Sequence, residues 1–501
     1  MRPDILLFHP PNILKPNALR YSSISPLICG YGLLHIGAHL KRLGYNVECW
    51  NIPLAYKLGL KNNHIKGILK TYDPLLVGIE LNWLHLSKGA LDLADFLKDL
   101  YTNVPIVVGG VHATLFADQI IKFNDAIDVV VKGEAEKIME DLANKIEKKQ
   151  DYRRVIGTIS KENGRIIKNE GKNIHENLDL IPPYSPNLLM PKKLNPYNLA
   201  IINTCRGPCN FDCIHCLGAK SKYCLSTRSK ITFHSISWII KQIQLLLDHT
   251  NKISIQDYIY CNPKFIIELC KAIQRENLQD SIDYFNIAIV PTQNINNRVM
   301  NELAKAGVDN IDIGIESGSD YILKHLKRPY NTYQASVVIK NAIENGILPK
   351  TYWMITGFER QTDLHANQQL LKNTIKLGAI PKWVTPLCII PKTELHYNAR
   401  KYKINLKLSS FQDYLRFSTE KFNRNAYYPP LVTHETNLMT IYDILKAVNE
   451  IKTLILHNED IILEKLEENK KYYLRVHPKL YEPPLIQRTE ASLKYIRSTF
   501  F

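Results

Sequence analysis

Short apolar runs separated by amphipathic stretches recur through most of this chain, and no other feature restricts its fold as much. In residues 1–150 the runs are Asp4–His9, Asn46–Trp50, Leu75–Glu80, Pro105–Gly109 and Ile127–Val131. Between them lie helical patterns such as GLLHIGAHLKRLG and LSKGALDLADFLKDLY. Strands that are apolar on both faces must be covered on both faces, and helical crossovers supply that cover in a parallel sheet. Five such units predict an α/β, doubly wound, flavodoxin-like domain over residues 1–150, with its ligand beyond the carboxyl ends of the strands.

VIGTISKENGRIIKN then reads as two short strands around Asn163-Gly164, the dipeptide of a type I′ hairpin. Five prolines and little periodicity between Asn177 and Pro196 read as a linker, so residues 151–198 are expected to be hairpin and linker. The alternation resumes at Leu199–Asn203, Lys252–Gln256, Asp283–Val290, Val308–Glu316, Leu348–Ile355 and Trp383–Ile390. Six βα units suit a partial (βα)6, TIM-like barrel over 199–395, with its chemistry in the loops after the strands. Residues 396–501 turn aromatic, basic and mostly helical, a C-terminal extension whose plainest role is to cap the open barrel.

Composition limits the partners. The chain has 501 residues, 45% of them hydrophobic and 22% charged, which is globular composition. It has no uninterrupted apolar run of the ~18 residues that a spanning helix needs. MRPDILLFHPPN lacks the apolar core and cleavage site of a secretory signal, so a cytoplasmic location is expected. Lys and Arg exceed Asp and Glu by 64 − 48 = 16. That surplus suits a polyanion, an anionic cofactor or an anionic lipid surface, and equally a basic solubilising surface. Among these, no nucleic acid is expected, and peripheral membrane contact is kept open.

Of ten cysteines, five (Cys205, Cys209, Cys213, Cys216 and Cys224) fall within twenty residues, directly after the first barrel strand. In a reducing compartment such a cluster means metal or redox chemistry. Its core is Cys209-Asn210-Phe211-Asp212-Cys213-Ile214-His215-Cys216. Three thiolates at this spacing can wrap one face of an iron–sulfur cubane and leave one iron free to chelate a small molecule. Structural zinc would need a fourth ligand and usually a second, distant pair, which the sequence lacks. Cys205 or His215 could supply zinc's fourth donor, and an ordinary four-cysteine cluster is the other alternative.

C-x3-C-x2-C after the first strand of a partial barrel resembles the radical S-adenosylmethionine (SAM) superfamily, over about Leu199–Leu395. The resemblance implies that Cys209, Cys213 and Cys216 ligate a [4Fe–4S] cluster whose open iron binds SAM. Gly314-Ile315-Glu316-Ser317-Gly318-Ser319 resembles the family's fourth-strand segment beside SAM. Met354-Ile355-Thr356-Gly357-Phe358 resembles its fifth-strand glycine turn, and Pro391-Lys392-Thr393-Glu394-Leu395 resembles the end of its sixth strand. Glu316, Ser317 and Gly357 are thereby expected at SAM; the Glu316 carboxylate, ending a buried strand, needs a donor, and a barrel Lys or Arg is the alternative to SAM. Two departures stand out: His215 holds a position that is usually aromatic, and Arg206-Gly207-Pro208-Cys209 is one residue longer than the usual Arg-Gly-Cys. His215 is read either as an adenine partner or as a polar liner, and Cys205 and Cys224 as spectator thiols.

The first domain is similar to the cobalamin-binding domain found ahead of many radical SAM modules. The similar segments are His9-Pro10-Pro11-Asn12, Gly30-Tyr31-Gly32-Leu33-Leu34, Val108-Gly109-Gly110-Val111-His112-Ala113-Thr114 and Val131-Lys132-Gly133-Glu134-Ala135-Glu136. Contacts to cobalamin are expected from His9, Pro10, Asn12, Gly109, Gly110, His112, Thr114, Gly133 and Glu134, with the glycines letting a broad corrin approach the backbone. The Asp-x-His-x-x-Gly motif of histidine-ligated cobalamin proteins does not occur. The resemblance places the loop Glu80-Leu81-Asn82-Trp83-Leu84-His85 under the corrin, with Asn82, Trp83 or Leu84 against its lower face and His85 as a pocket liner.

Cobalamin-dependent radical SAM enzymes are mostly methyltransferases. The resemblance implies methyl transfer to an unactivated carbon by a 5′-deoxyadenosyl radical mechanism, with one SAM methylating cobalamin and another supplying the radical. It also implies an external electron donor of the flavodoxin or ferredoxin type, and a small-molecule, peptide or lipid substrate. A minority of the class forms rings or carbon–carbon bonds without methyl transfer, including on lipids. A cobalamin or redox sensor without turnover is the reading from another class, and the intact C-x3-C-x2-C argues against it. No catalytic side chain beyond the cofactor-binding residues is assigned.

Overall fold

The computed structural model describes residues 2–12, 31–192, 199–257, 262–422 and 431–476. Gly30, residues 193–196 of the proline-rich stretch and the last 25 residues of the C-terminal extension lie outside the described residues. The chain divides into two compact units: Met1–Ala200 with Tyr223–His249 and Leu408–Pro429, and Ile201–Lys222 with Thr250–Lys407 and Pro430–Phe501.

In the first unit, strands β1 (Ile5–His9), β2 (Val47–Asn51), β3 (Leu76–Glu80), β4 (Ile106–Gly109) and β5 (Val129–Val131) run parallel in the order β5-β4-β3-β1-β2. This is the doubly wound arrangement, and its chain reversal between β1 and β3 sets the ligand crevice at the carboxyl ends. Helices α1 (Tyr31–Arg42), α2 (Ile52–Lys57), α3 (Asn62–Leu69), α4 (Ser87–Leu100), α5 (Val111–Phe123) and α6 (Glu136–Glu147) make the crossovers. Ile5, Leu6 and Phe8 are wholly buried, as are Leu76 and Val77, so the central strands have no polar face to turn outward.

The hairpin forms as its turn residues require. Asn163 and Gly164 have φ of 50° and 76°, the double positive of a type I′ turn, between β6 (Thr158–Glu162) and β7 (Arg165–Asn169). Strand β6 pairs antiparallel with β5, so the hairpin extends the sheet. The described part of the expected linker is likewise packed. Its strand β8 (Leu189–Met190) pairs with β2. From α7 (Ile236–Leu247), the Trp238 indole donates to Ile181 O at 2.7 Å, and the Gln242 amide exchanges two 2.9 Å bonds with the Tyr184 backbone. Few N–H groups in a proline-rich stretch need partners, so a few side-chain bonds satisfy it without periodic structure. Helix α14 (Phe411–Phe422), far along the chain, also belongs to this unit and buries Phe411 and Tyr414.

The second unit is built on a six-stranded sheet of β9 (Ala200–Ile202), β12 (Lys252–Ile255), β13 (Tyr284–Ile289), β14 (Asn310–Glu316), β15 (Leu348–Ile355) and β16 (Ile380–Pro386), paired in chain order. The two-residue strands β10 (Cys205–Arg206) and β11 (Thr232–Phe233) fall between β9 and β12 in sequence. Pairs from β12 to β16 are parallel. Strand β16 begins three residues before the expected Trp383, because Gly378 (φ 107°) ends helix α12 (Gln361–Leu377) in a left-handed cap and only Ala379 intervenes. Helices α8 (Pro263–Arg275), α9 (Asn297–Lys305), α10 (Asp320–His325) and α11 (Thr332–Glu344) complete the crossovers. Beyond the short α13 (Glu394–Tyr397), the extension contributes the antiparallel pair β17 (Ile404–Leu406) and β18 (His434–Thr436) and helices α15 (Ile441–Leu456) and α16 (Glu459–Val476). The buried face of α15 (Ile444, Ala447, Val448, Ile451 and Ile455) packs on β15 and β16.

Two glycines test this packing in opposite directions. A Cβ on Gly89 of α4 would lie 1.7 Å from the carbonyl oxygen of Pro11, whereas Gly67 of α3 has nothing within 4 Å. Gly89→Ala should therefore destabilise the protein by ~2 kcal/mol or more. Gly67→Ala should stabilise it by ~0.5–1 kcal/mol through helix propensity. Thermal melting of the two variants beside the parent protein checks both signs.

Candidate active site

In the second unit, the cysteine loop is fixed at both ends before any metal is considered. Asp257, just past β12, accepts from the backbone and hydroxyl of Thr204 (2.8 Å to Oγ1) and from Cys205 N at 3.1 Å. Gly207 (φ 107°) turns the chain into the loop. Within it, Cys209 N donates to Gly218 O at 2.8 Å, Lys220 N to Phe211 O at 3.0 Å and Ser221 N to Asp212 Oδ1 at 2.7 Å. Ile214 points into a core with Leu326 and Leu395. Its N–H donates to Leu326 O and its carbonyl accepts from Leu395 N, each at 3.1 Å. The segment expected to end the sixth strand thus clamps the cysteine loop.

Cys209 and Cys213 are buried and Cys216 is half-buried. Burial pushes the Cys216 thiol up to about 11 and raises that of Cys213, while the Gly218 N–H (3.3 Å to Cys216 Sγ) and the Arg328 guanidinium (3.4 Å to Cys213 Sγ) act in the opposite sense. The Cys209 sulfur also raises Cys213, and both raise Cys216. Thiols that resist ionisation alone, yet have donors aimed at them, suit a metal cluster that takes up the thiolate charge. His215 is half-buried, its Nδ1 has no hydrogen-bond partner, and burial lowers its pKa to about 3, so the ring is neutral.

Glu316 ends β14 where the register shifts, with φ of 62°. Its carboxylate lies 3.4 Å from Arg328 Nη2, and a Cβ on Gly314 would come within 2.8 Å of it. Arg328 Nε donates to Tyr330 OH at 3.1 Å, and that hydroxyl donates to the carbonyls of Gly314 (2.5 Å) and Ile315 (3.1 Å). Ser317 is fully buried and bonds Asn367 Oδ1 at 2.8 Å, so its side chain serves the turn. Gly357 (φ 85°) sits in a turn held by the Glu359 carboxylate, which accepts from Thr356 N, Thr356 Oγ1 and Gly357 N, each at 2.8 Å. From β18, His434 bonds Thr356 O at 2.8 Å and Thr436 donates to Gly357 O at 2.5 Å. Sequence reasoning named neither Glu359 nor Arg328. The first follows its glycine by two residues; the second stands between helices, in LKHLKRPY, with no periodic signal.

In the first unit, the expected cobalamin residues gather at the strand ends. His9 at the end of β1 contacts Glu80 at the end of β3, and Glu80 accepts from Asn82 Nδ2 at 3.1 Å. Asn82 Oδ1 accepts from Val111 N at 3.2 Å. Thr114 Oγ1 donates to Gly110 O at 2.8 Å and accepts from Gly133 N at 3.0 Å, tying the β4 turn to the β5 turn. Glu134 is held by both prongs of Arg228, at 2.6 and 2.8 Å. Pro10 and Asn12 are buried, Gly109 and Leu84 half-buried, and Trp83 is 62% exposed. His85 lies in a 3-10 turn, Leu84–Leu86, and His112 packs among Phe116, Phe411 and Tyr414. Burial lowers both imidazoles to about 3, helped at His85 by His9 and at His112 by His85.

Glycine at 110 and 133 also has a reason within the protein: φ is 115° and 88°, and an added Cβ would meet Asn82 Oδ1 at 2.5 Å or Leu225 O at 3.2 Å.

Residues 27–143 match the family model for a B12 binding domain, and residues 207–368 that for the radical SAM superfamily. The chain joins a B12-binding domain to a radical SAM domain. These domains carry the cofactors cobalamin, a [4Fe–4S] cluster and SAM. The uncharacterized methyltransferase PH0819 of Pyrococcus horikoshii is 27% identical over 303 residues, which cover 60% of this chain and 63% of that protein. The anaerobic magnesium-protoporphyrin IX monomethyl ester cyclase of Synechocystis sp. is 24% identical over 380 residues, or 73% and 72% of the two chains. The chain thus spans less than two thirds of the Pyrococcus relative. Among solved structures, the radical SAM methyltransferase TsrM from Kitasatospora setae has a similar fold, with a TM-score of 0.67 at 15% identity over 89% of this chain and 88% of that one. So does the cobalamin-dependent radical enzyme OxsB, with a TM-score of 0.64 at 16% identity over 99% and 71%.

Cys213→Ala should remove most of the ~4 irons that one cubane brings, by iron assay and loss of brown absorbance, and leave cobalamin binding intact. Copurified zinc in place of iron, after anaerobic preparation, would contradict this assignment. For the lower corrin face, electron paramagnetic resonance of the cob(II) form should show no nitrogen splitting that disappears in His85→Ala.

Proposed function

We propose that this radical SAM enzyme transfers a methyl group to an unactivated carbon. The observation that carries the reading is one chain with both a three-cysteine loop at the end of its first barrel strand and a B12-binding domain. The methyltransferase name of the Pyrococcus relative agrees with it. When bound, SAM at the cluster supplies a 5′-deoxyadenosyl radical, and cobalamin supplies the methyl group. The protein's share is binding and exclusion. Cys209, Cys213 and Cys216 hold the cluster. Arg328 offsets charge at Cys213 and steadies Glu316, which faces a SAM hydroxyl or ammonium. The Gly357 turn, fixed by Glu359 and His434, presents backbone to the nucleoside. His9, Asn82, Thr114 and the β4 and β5 turns line the cobalamin crevice. The electron comes from an external donor of flavodoxin or ferredoxin type, and the substrate is a small molecule, peptide or lipid. Among the described residues no helix is long and apolar enough to cross a membrane.

A second reading, ring or carbon–carbon bond formation without methyl transfer, is favoured by the two relatives named as cyclases, at 24% and 23% identity. Anaerobic turnover with methyl-labelled SAM and reductant separates the two. Methyl transfer forms S-adenosylhomocysteine together with 5′-deoxyadenosine and puts label in the product, whereas ring formation gives 5′-deoxyadenosine alone. Glu316→Gln should weaken SAM binding by ~10–100-fold, the loss expected for a charged hydrogen bond, with the cluster iron retained. Unchanged SAM affinity would mean that Glu316 serves only Arg328.

A further inference from the structure

We propose that His39, Glu140 and His175, in the first unit, form a divalent-metal site that takes zinc. His39 is fully buried in the last turn of α1, Glu140 lies on α6, and His175 lies on the segment after β7. His39 Nε2 is 2.8 Å from Glu140 Oε2, and His175 Nε2 is 3.9 Å from the same oxygen. The two rings stand edge to face with centroids 4.8 Å apart, and the three ligand atoms all lie within 4.8 Å of one another.

As a hydrogen-bond network this arrangement is incomplete. His39 satisfies Glu140, but His175 Nε2 is too far to donate and is buried without a hydrogen-bond partner. A buried nitrogen left so costs ~1–3 kcal/mol. A cation between the three removes that cost. Tetrahedral zinc with bonds of ~2.0–2.1 Å places neighbouring ligand atoms ~3.3 Å apart, and the present 2.8 and 3.9 Å bracket that separation. Two imidazoles and one carboxylate are a zinc donor set, and the half-exposed side of Glu140 leaves water the fourth position.

One contact works against the metal. Arg42 Nη2 lies 3.3 Å from His39 Nδ1, the nitrogen that carries the proton once Nε2 binds a cation. Arg42 is exposed and can swing into solvent.

The site would staple α1, α6 and the segment around His175. That segment also holds Arg228: its guanidinium donates to His175 O at 2.5 Å and Glu176 O at 3.4 Å while gripping Glu134. The metal would therefore steady the residue that fixes Glu134 at the end of β5.

Zinc chloride titrated into the full-length protein, with its cluster already reconstituted anaerobically, tests the site. One zinc per chain should bind beyond the cluster iron and raise the melting temperature. His175→Ala and Glu140→Gln should each lose more affinity than the ~10–100-fold typical of outer-sphere changes, and Arg42→Ala should bind zinc more tightly. Crystals of the parent protein soaked in zinc should show, across the zinc absorption edge, an anomalous peak between the three side chains. His175→Gln keeps the ring's approximate bulk if the alanine variant fails to fold. No peak at this position, or equal zinc affinity in parent and variants, overturns the proposal.

Discussion

The second unit is organised around a buried guanidinium. Arg328 touches Cys213 of the cysteine loop, Glu316 at the end of β14 and the Tyr330 hydroxyl, which in turn bonds the carbonyls of Gly314 and Ile315. Burial works against its charge, and Tyr330, Glu316 and Cys213 outweigh it, so Arg328 stays charged. Removing one partner of such a buried network typically costs ~3–5 kcal/mol, since the remaining charge is left uncompensated. The same atoms that position the candidate SAM carboxylate therefore also hold the end of β14 together.

The first unit solves a similar problem with backbone. Its strand-end turns at Gly110 and Gly133 take positive φ, a β-carbon at Gly110 would clash with Asn82, and the turns are held by side ties: Gly110 to Gly133 through Thr114, Asn82 to Val111, and Glu134 to Arg228. Such ties fix the crevice before a ligand arrives, which is how a large planar cofactor is bound without a folding step of its own. Helix α14 adds Phe411 and Tyr414 beside His112, so a segment some 300 residues away completes the packing of α5.

The match between sequence and structure is uneven for physical reasons. Strands buried on both faces leave continuous apolar runs, and five of the six barrel strands and all five strands expected in residues 1–150 begin within two residues of their expected starts. The sixth barrel strand shifted because a helix cap, rather than hydrophobicity, set its start. Arg328, Glu359 and His434 were not legible. Each acts through a contact distant in sequence or through a turn carboxylate, and a lone charged residue in a loop looks the same whether it is solvated or buried.

The sequence by itself determined the βα alternation, the type I′ hairpin at Asn163-Gly164 and the three-cysteine loop, because each depends on residues that are neighbours along the chain. Only the tertiary structure decided which cation meets Glu316, that protein atoms crowd the backbone at Gly110 and Gly133, and that the proline-rich stretch is packed on α7. It also brought His39, Glu140 and His175 to one point from a stretch of chain that runs from position 39 to position 175. Local patterns fix backbone preferences, but a buried polar group is satisfied by whatever the fold carries to it, and that partner has no sequence offset to read.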